Sequence, residues 1–316
     1  MTTPPQSHIS PGNAMPGEDP PAAQELSVPV QRQRCATLER RHPAASRVRI
    51  YIGNQTAYYA ATPVQPFEYA VANGFEAFEW FPDKKADGTG WDEDDLDVET
   101  RAAIRKTAQV CQMRLSVHAR WDADPFKPES DSILVGGLAL ARDLGAALFN
   151  IHLAVDEGIA AYVRAILPFV VRSAELGLQI AIENTPVTTP EHFNRLFSQI
   201  YGLGTERTGH VGMCLDIGHA NLCPTTLNDY LGYLDQLDRR VPIIHLHLHE
   251  NYGDRDAHLP LFTGPSGKDP TGVRGLLERL KKRRFSGSFI LEQWPEPPAL
   301  LNQAYDRLRQ LLSNQA

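Results

Sequence analysis

From Arg47 onward, short apolar runs alternate with longer stretches whose apolar residues recur every three or four positions. The runs read as strands buried on both faces, the longer stretches as amphipathic helices. Strands are predicted over 47–53, 75–81, 114–119, 146–153, 178–184, 210–216, 242–248 and 287–293. Helices follow them near 65–73, 98–113, 131–144, 159–176, 190–201, 226–237, 271–284 and 298–312. Gly74, Gly145 and Gly177 stand directly after three of these helices, where a left-handed residue closes the last turn. Eight successive strand–helix units predict an α/β fold, a single-domain (β/α)8 TIM barrel. A doubly wound open sheet is the competing architecture, but no GxGxxG turn follows the first strand.

Residues 1–46 break the pattern. Prolines crowd them and apolar residues are sparse, so the segment is expected to be a disordered Pro-rich tail, with the barrel over 47–316. Its Arg32, Arg34, Arg40 and Arg41 read as a solvated run. The formal charge of −7 gives no global basic footprint for nucleic acid. Cys35, Cys111, Cys214 and Cys223 form no CxxC pair, which argues against a disulfide framework and a thiolate zinc site and suits a reducing cytoplasm. No apolar run is long enough to span a bilayer, and no secretory leader is evident, so no membrane partner is expected.

Candidate chemistry gathers at the carboxyl ends of the strands, where barrels of this kind place their sites. There stand Glu79, His118, His152, Glu183, Asp216 with His219 just beyond it, His247, and Glu292. The stretch 242–264, PIIHLHLHENYGDRDAHLPLFTG, is densest: His245, His247 and His249 share one strand face, and Asp256 and His258 follow in the loop. Any one of these has a structural explanation; Asp216, for instance, could cap the segment after it. Their convergence on one face points instead to a metal. Imidazole plus carboxylate, without thiolate, suits Zn, Mn, Fe or Co. His8, His42, His192 and His210 fall outside the set. Trp80, Trp121 and Trp294 lie near strand ends, as core or as an aromatic wall against a sugar ring.

The segments IAIEN, CLDIGHAN, HLHLHENYGDRDAHLPLFTG and FILEQWP resemble the signature strands of the xylose isomerase-like TIM-barrel superfamily. That superfamily includes sugar phosphate isomerases/epimerases and the endonuclease IV-type abasic-site endonucleases. In the epimerase branch the resemblance implies one divalent metal on Glu183, Asp216, His247 and Glu292, with the two glutamates as acid/base pair. In the endonuclease branch it implies three zinc ions, with His118, His152, His219, Asp256 and His258 as further ligands. The flanks depart from the endonuclease pattern. Leu-Ala follows His152, Ile-Gly follows Asp216, and the fifth-strand motif reads ENTPVTTP.

The leading expectation is therefore a metal-dependent sugar or sugar phosphate isomerase/epimerase with one metal site and room for up to three. Glu183, Glu292 and His219 are expected to be catalytic, and Glu79, His249 and Asn184 to bind substrate. The alternative is a phosphodiesterase of the endonuclease IV kind with a multinuclear zinc site and nucleic acid as partner; a non-catalytic sugar-binding barrel is a third. Asp256 and His258 separate the first two.

Overall fold

A computed structural model of the chain describes residues 49–85, 87–204 and 208–314. The predicted Pro-rich tail lies outside the described residues. Eight parallel strands close into a barrel in sequence order: β1 Ile50–Gln55, β2 Ala77–Trp80, β3 Arg114–His118, β4 Leu148–His152, β5 Gln179–Glu183, β6 Val211–Asp216, β7 Ile243–Leu248 and β8 Gly287–Leu291. The helices between and after them are α1 Gln65–Asn73, α2 Val98–Val110, α3 Ser130–Leu144, α4 Ile159–Glu175, α5 Pro190–Gly202, α6 Ile217–Leu222, α7 Tyr230–Gln236, α8 Pro265–Lys268, α9 Thr271–Lys282 and α10 Ala299–Ser313. The (β/α)8 architecture expected from the apolar pattern is the one found.

Alternation along the strands sorts the core into two parts. Leu115 and Val117, Phe149 and Ile151, Ile180 and Ile182, and Met213 and Leu215 join the large apolar cluster that also contains the helix residues. Leu148, Ala181 and Cys214 form a separate small cluster. In register, Leu148 pairs with Gln179, Ala181 with Gly212, and Cys214 with His245. The outward positions are thus packed beneath the helices. The inward ones carry small and polar side chains and lead, two residues at a time, to the groups at the strand ends.

Three differences from the sequence-based expectation have physical causes. The helix expected near 226–237 begins only at Tyr230, because Asp229 Oδ1 accepts from Gly232 N at 2.8 Å and starts it there. Helix α6 has no counterpart in the apolar pattern: Asp216 caps it, its Oδ1 accepting from His219 N at 2.8 Å. Cys111 is disulfide-bonded, with Cys214 and Cys223 free; the lack of a CxxC pair argued against a disulfide framework, but spacing along a chain does not limit closeness in space. Among the described residues no helix is long and apolar enough to cross a membrane.

Candidate metal centre

The short, strongly apolar strands stop where the chain turns polar, and this delivers ligand-type side chains from several strands to the barrel mouth. β5 ends at Glu183, which is fully buried. His118, from the end of β3, donates from Nε2 to Glu183 Oε2 at 2.9 Å and from Nδ1 to the Ala119 carbonyl at 2.6 Å. Asn150, from β4, also donates to Glu183 Oε2. These contacts fix the carboxylate plane and leave Glu183 Oε1 buried and without a hydrogen bond.

His247 approaches the same point from β7. Its Nδ1 is buried without a hydrogen bond, 3.2 Å from Glu183 Oε1, 3.4 Å from Glu292 Oε2 and 3.8 Å from Asp216 Oδ2. Glu292 Oε2 is likewise buried and unpartnered. Buried polar atoms without partners are rare in native proteins. Three of them meet here, and the carboxylate–imidazole donor set would fit a divalent transition metal. His118, Glu183, His247 and Glu292 form one such group, and Asp216 joins others with Glu183 and His219 and with His249 and Glu292.

A second cluster lies nearer the solvent. His219 Nε2 and His258 Nε2 reach Asp256 Oδ2 at 3.2 and 3.1 Å, and His249 Nδ1 lies 3.7 Å from Asp256 Oδ1. The rings of His249 and His258 stack at 4.1 Å. His219 and His258 each donate from Nδ1 to a backbone carbonyl, of Asn184 at 2.8 Å and of Glu292 at 3.1 Å, which aims their Nε2 atoms at Asp256.

The electrostatics follow from crowding of opposite charges out of water. Burial alone would raise the pKa of Glu183, but the charges of His247, His152 and His118 outweigh it and hold the carboxyl well below its usual range. Burial works the other way on His247, where Cys214, Glu183, Glu292 and Glu79 hold the imidazole well above its ordinary value. His258, opposed by burial, is raised to about 9 by Asp256 and Glu292.

Of the expected ligands, His118, Glu183, Asp216, His219, His247, Asp256, His258 and Glu292 fall into these groups. His152 stands off, its Nε2 3.6 Å from Glu183 Oε1, and joins no group of three. His249, expected to contact substrate, instead lies inside the ligand cluster, donating to Asp216 Oδ2 at 3.0 Å. Glu79 and Asn184, also expected to bind substrate, are both engaged within the protein. Glu79 is fully buried, and its carboxylate accepts from Ser116 Oγ, His245 Nε2 and His247 Nε2 at 2.7, 2.8 and 2.7 Å, so no oxygen faces the mouth. The Asn184 amide is tied to the end of β6: Nδ2 donates to the Asp216 carbonyl and Oδ1 accepts from Asp216 N, both at 2.9 Å. Trp80 and Trp294 are core, whereas Trp121 is exposed. Ser116, Asn150 and Cys214 were missed. Each lies two positions before a strand-end residue and so shares its face, a signal the period of two carries.

A closed parallel barrel whose mouth is ringed by imidazoles and carboxylates defines a class of (β/α)8 protein built around a candidate metal centre. The chain belongs to the xylose isomerase-like TIM barrel family, whose model matches residues 67–311. Among solved structures, a D-tagatose 3-epimerase-like protein is similar with a TM-score of 0.63 at 18% identity, covering 83% of this chain and 97% of that one. An L-ribulose 3-epimerase has a TM-score of 0.59 at 16% identity, covering 84% and 95%. Endonuclease IV from Thermus thermophilus has a TM-score of 0.55 at 22% identity, covering 84% and 99%. Among curated proteins no sequence match is found. At these identities the likeness speaks for the fold.

Proposed function

We propose that the chain is a divalent-metal-dependent isomerase or epimerase of a keto-sugar or sugar phosphate, with Glu183 and Glu292 as its acid/base pair. One observation carries the reading: the unpartnered, buried Glu183 Oε1 and Glu292 Oε2 both approach His247 Nδ1, at 3.2 and 3.4 Å. Epimerases among the structural neighbours support it. Glu183, Asp216, His247 and Glu292 would hold the ion, with Mn, Zn, Co and Fe as candidates; bound there, it would polarise the substrate carbonyl as a Lewis acid.

The chain's own groups then divide the proton transfer. Glu183 is gripped through Oε2 by His118 and Asn150, and its imidazole neighbours keep it ionised. It takes the proton from the carbon beside the carbonyl. Glu292, entering from just beyond β8, starts the cycle protonated and gives its proton to the carbon, so the two carboxyls end with their protonation exchanged and reset through solvent. His219, fixed through Nδ1 on the Asn184 carbonyl, turns Nε2 toward Asp256 and orients the substrate at the mouth.

The test is solvent-proton exchange. Metal-loaded protein, offered a panel of keto-sugars and their phosphates in deuterium oxide, should label the carbon beside the carbonyl. Glu292→Gln keeps the shape but not the proton carrier, and should slow exchange by about 10²- to 10⁴-fold with an unchanged circular dichroism spectrum. Wild-type exchange in that variant would refute the assignment.

A second reading has one observation in its favour: the His219, His249, Asp256 and His258 group offers a place for a further ion. A multinuclear zinc site would suit attack on a phosphodiester, with nucleic acid as substrate. The net charge of −7 and the altered flanks weigh against it.

A further inference from the structure

The imidazoles at the barrel mouth are aimed in two different ways. His118, His219 and His258 each donate from Nδ1 to a backbone carbonyl and turn Nε2 toward a carboxylate. His247 is reversed: its Nε2 points down into the barrel and its Nδ1 up toward Glu183 and Glu292. What receives that downward N–H is a carboxylate, Glu79 Oε1 at 2.7 Å, on β2.

Glu79 is built to stay where it is. It is fully buried, and its other oxygen accepts from His245 Nε2 at 2.8 Å and Ser116 Oγ at 2.7 Å. The three donors come from β3 and β7, across the barrel interior from one another, so they clamp the carboxylate from two sides. A buried carboxylate with only apolar neighbours would be costly; here every contact is a charge-assisted hydrogen bond.

We infer that Glu79 is a positioning residue for the metal centre: it pins the proton of His247 on Nε2, turns Nδ1 toward the ion, and makes that nitrogen a stronger donor. His245 and Ser116 hold Glu79 in place to do so. The inference rests on the metal-centre part of the proposed function and not on the reaction. A ligating imidazole whose other nitrogen donates to a carboxylate gains both orientation and basicity, and loss of such a partner weakens metal binding by about 10- to 100-fold. Glu79→Gln preserves volume but removes the charge. It also offers one acceptor and one amide donor where two imidazole N–H groups arrive, so one imidazole must turn away or lose its partner.

Two measurements test this on the full chain with zinc, which is diamagnetic. Long-range proton–nitrogen correlation spectra of the zinc-loaded wild type should place the His247 proton on Nε2, hydrogen-bonded and shifted downfield, with Nδ1 bound to zinc. Competition against a chromophoric chelator should show Glu79→Gln binding zinc about 10- to 100-fold more weakly, with the His247 Nε2–H resonance moved upfield. Zinc on Nε2 of His247, or no zinc on this ring, would overturn the inference even if the variant failed to fold. So would a folded Glu79→Gln that binds zinc as tightly as the wild type. A wild type that binds no divalent ion would overturn both this inference and the proposed function, whereas tight binding by the variant overturns this inference alone.

Discussion

Asp216 does two things at once. Its Oδ1 caps α6 by accepting from His219 N, while its Oδ2 turns toward His249 and the metal point. The structural and the chemical explanation of this residue are therefore both met, and the cap is what carries His219 into the site one turn later. The strand-end residues were legible because a carboxylate or imidazole closing an apolar run is conspicuous. Glu79 was legible as a site residue but its role was not. Whether a strand-end carboxylate faces the mouth or the interior depends on which side chains across the barrel reach it, and His245 and Ser116 are distant in sequence. A further residue-scale consequence concerns Gly218. A Cβ there would sit 2.0 Å from His249 Cε1, and that ring is stacked on His258 and bonded to Asp216. Gly218→Ala should destabilise the fold by about 1–3 kcal/mol in a denaturant melt and displace His249 from the cluster. An unchanged melt would mean that the ring moves freely and is not part of a rigid centre.

At the scale of elements, the eight strand–helix units were readable because each strand is a bounded apolar run and each helix an amphipathic one. Gly74 and Gly145 end α1 and α3 in the left-handed conformation, with φ of 70° and 69°. The short helices α6 and α8 were not readable, since six and four residues hold too few turns for a periodic signal. Their positions depend on a side-chain cap in one case and on the Glu250 carboxylate in the other, which accepts from Gly264 N at 3.0 Å and Ser266 N at 2.9 Å. Barrel closure itself depends on a small residue in β1. Gly53 pairs with Ala77 of β2, and a Cβ at Gly53 would lie 1.8 Å from the Ala77 carbonyl oxygen. Backbone cannot yield there without breaking the β1–β2 ladder. Gly53→Ala should cost more than about 3 kcal/mol, read as insoluble expression or a steep fall in melting temperature. A soluble variant with native stability would mean that the two strands are not so tightly apposed.

At the scale of the whole molecule, the fold is a scaffold that brings ligand-type side chains from six strands, β2 to β7, to the barrel interior and mouth, with Glu292 just beyond β8 and a loop supplying Asp256 and His258. That plan was visible in the chain before any coordinates, because strand order and strand ends together dictate it. How many ions the mouth holds was not, since it depends on angstrom-scale distances between groups that many relatives share. The inner group is closed by three unpartnered atoms. In the outer group only His249 Nδ1 is buried and unpartnered, while Asp256 is already satisfied by His219 and His258. The proposed isomerase therefore needs one ion, at the inner point. The most direct test is metal stoichiometry, by elemental analysis and native mass spectrometry of the wild type and of His258→Ala. The account predicts one tightly held divalent ion per chain in both proteins. No bound ion would contradict the metal centre, and three ions, with one lost in the variant, would contradict the one-metal isomerase in favour of phosphodiester chemistry.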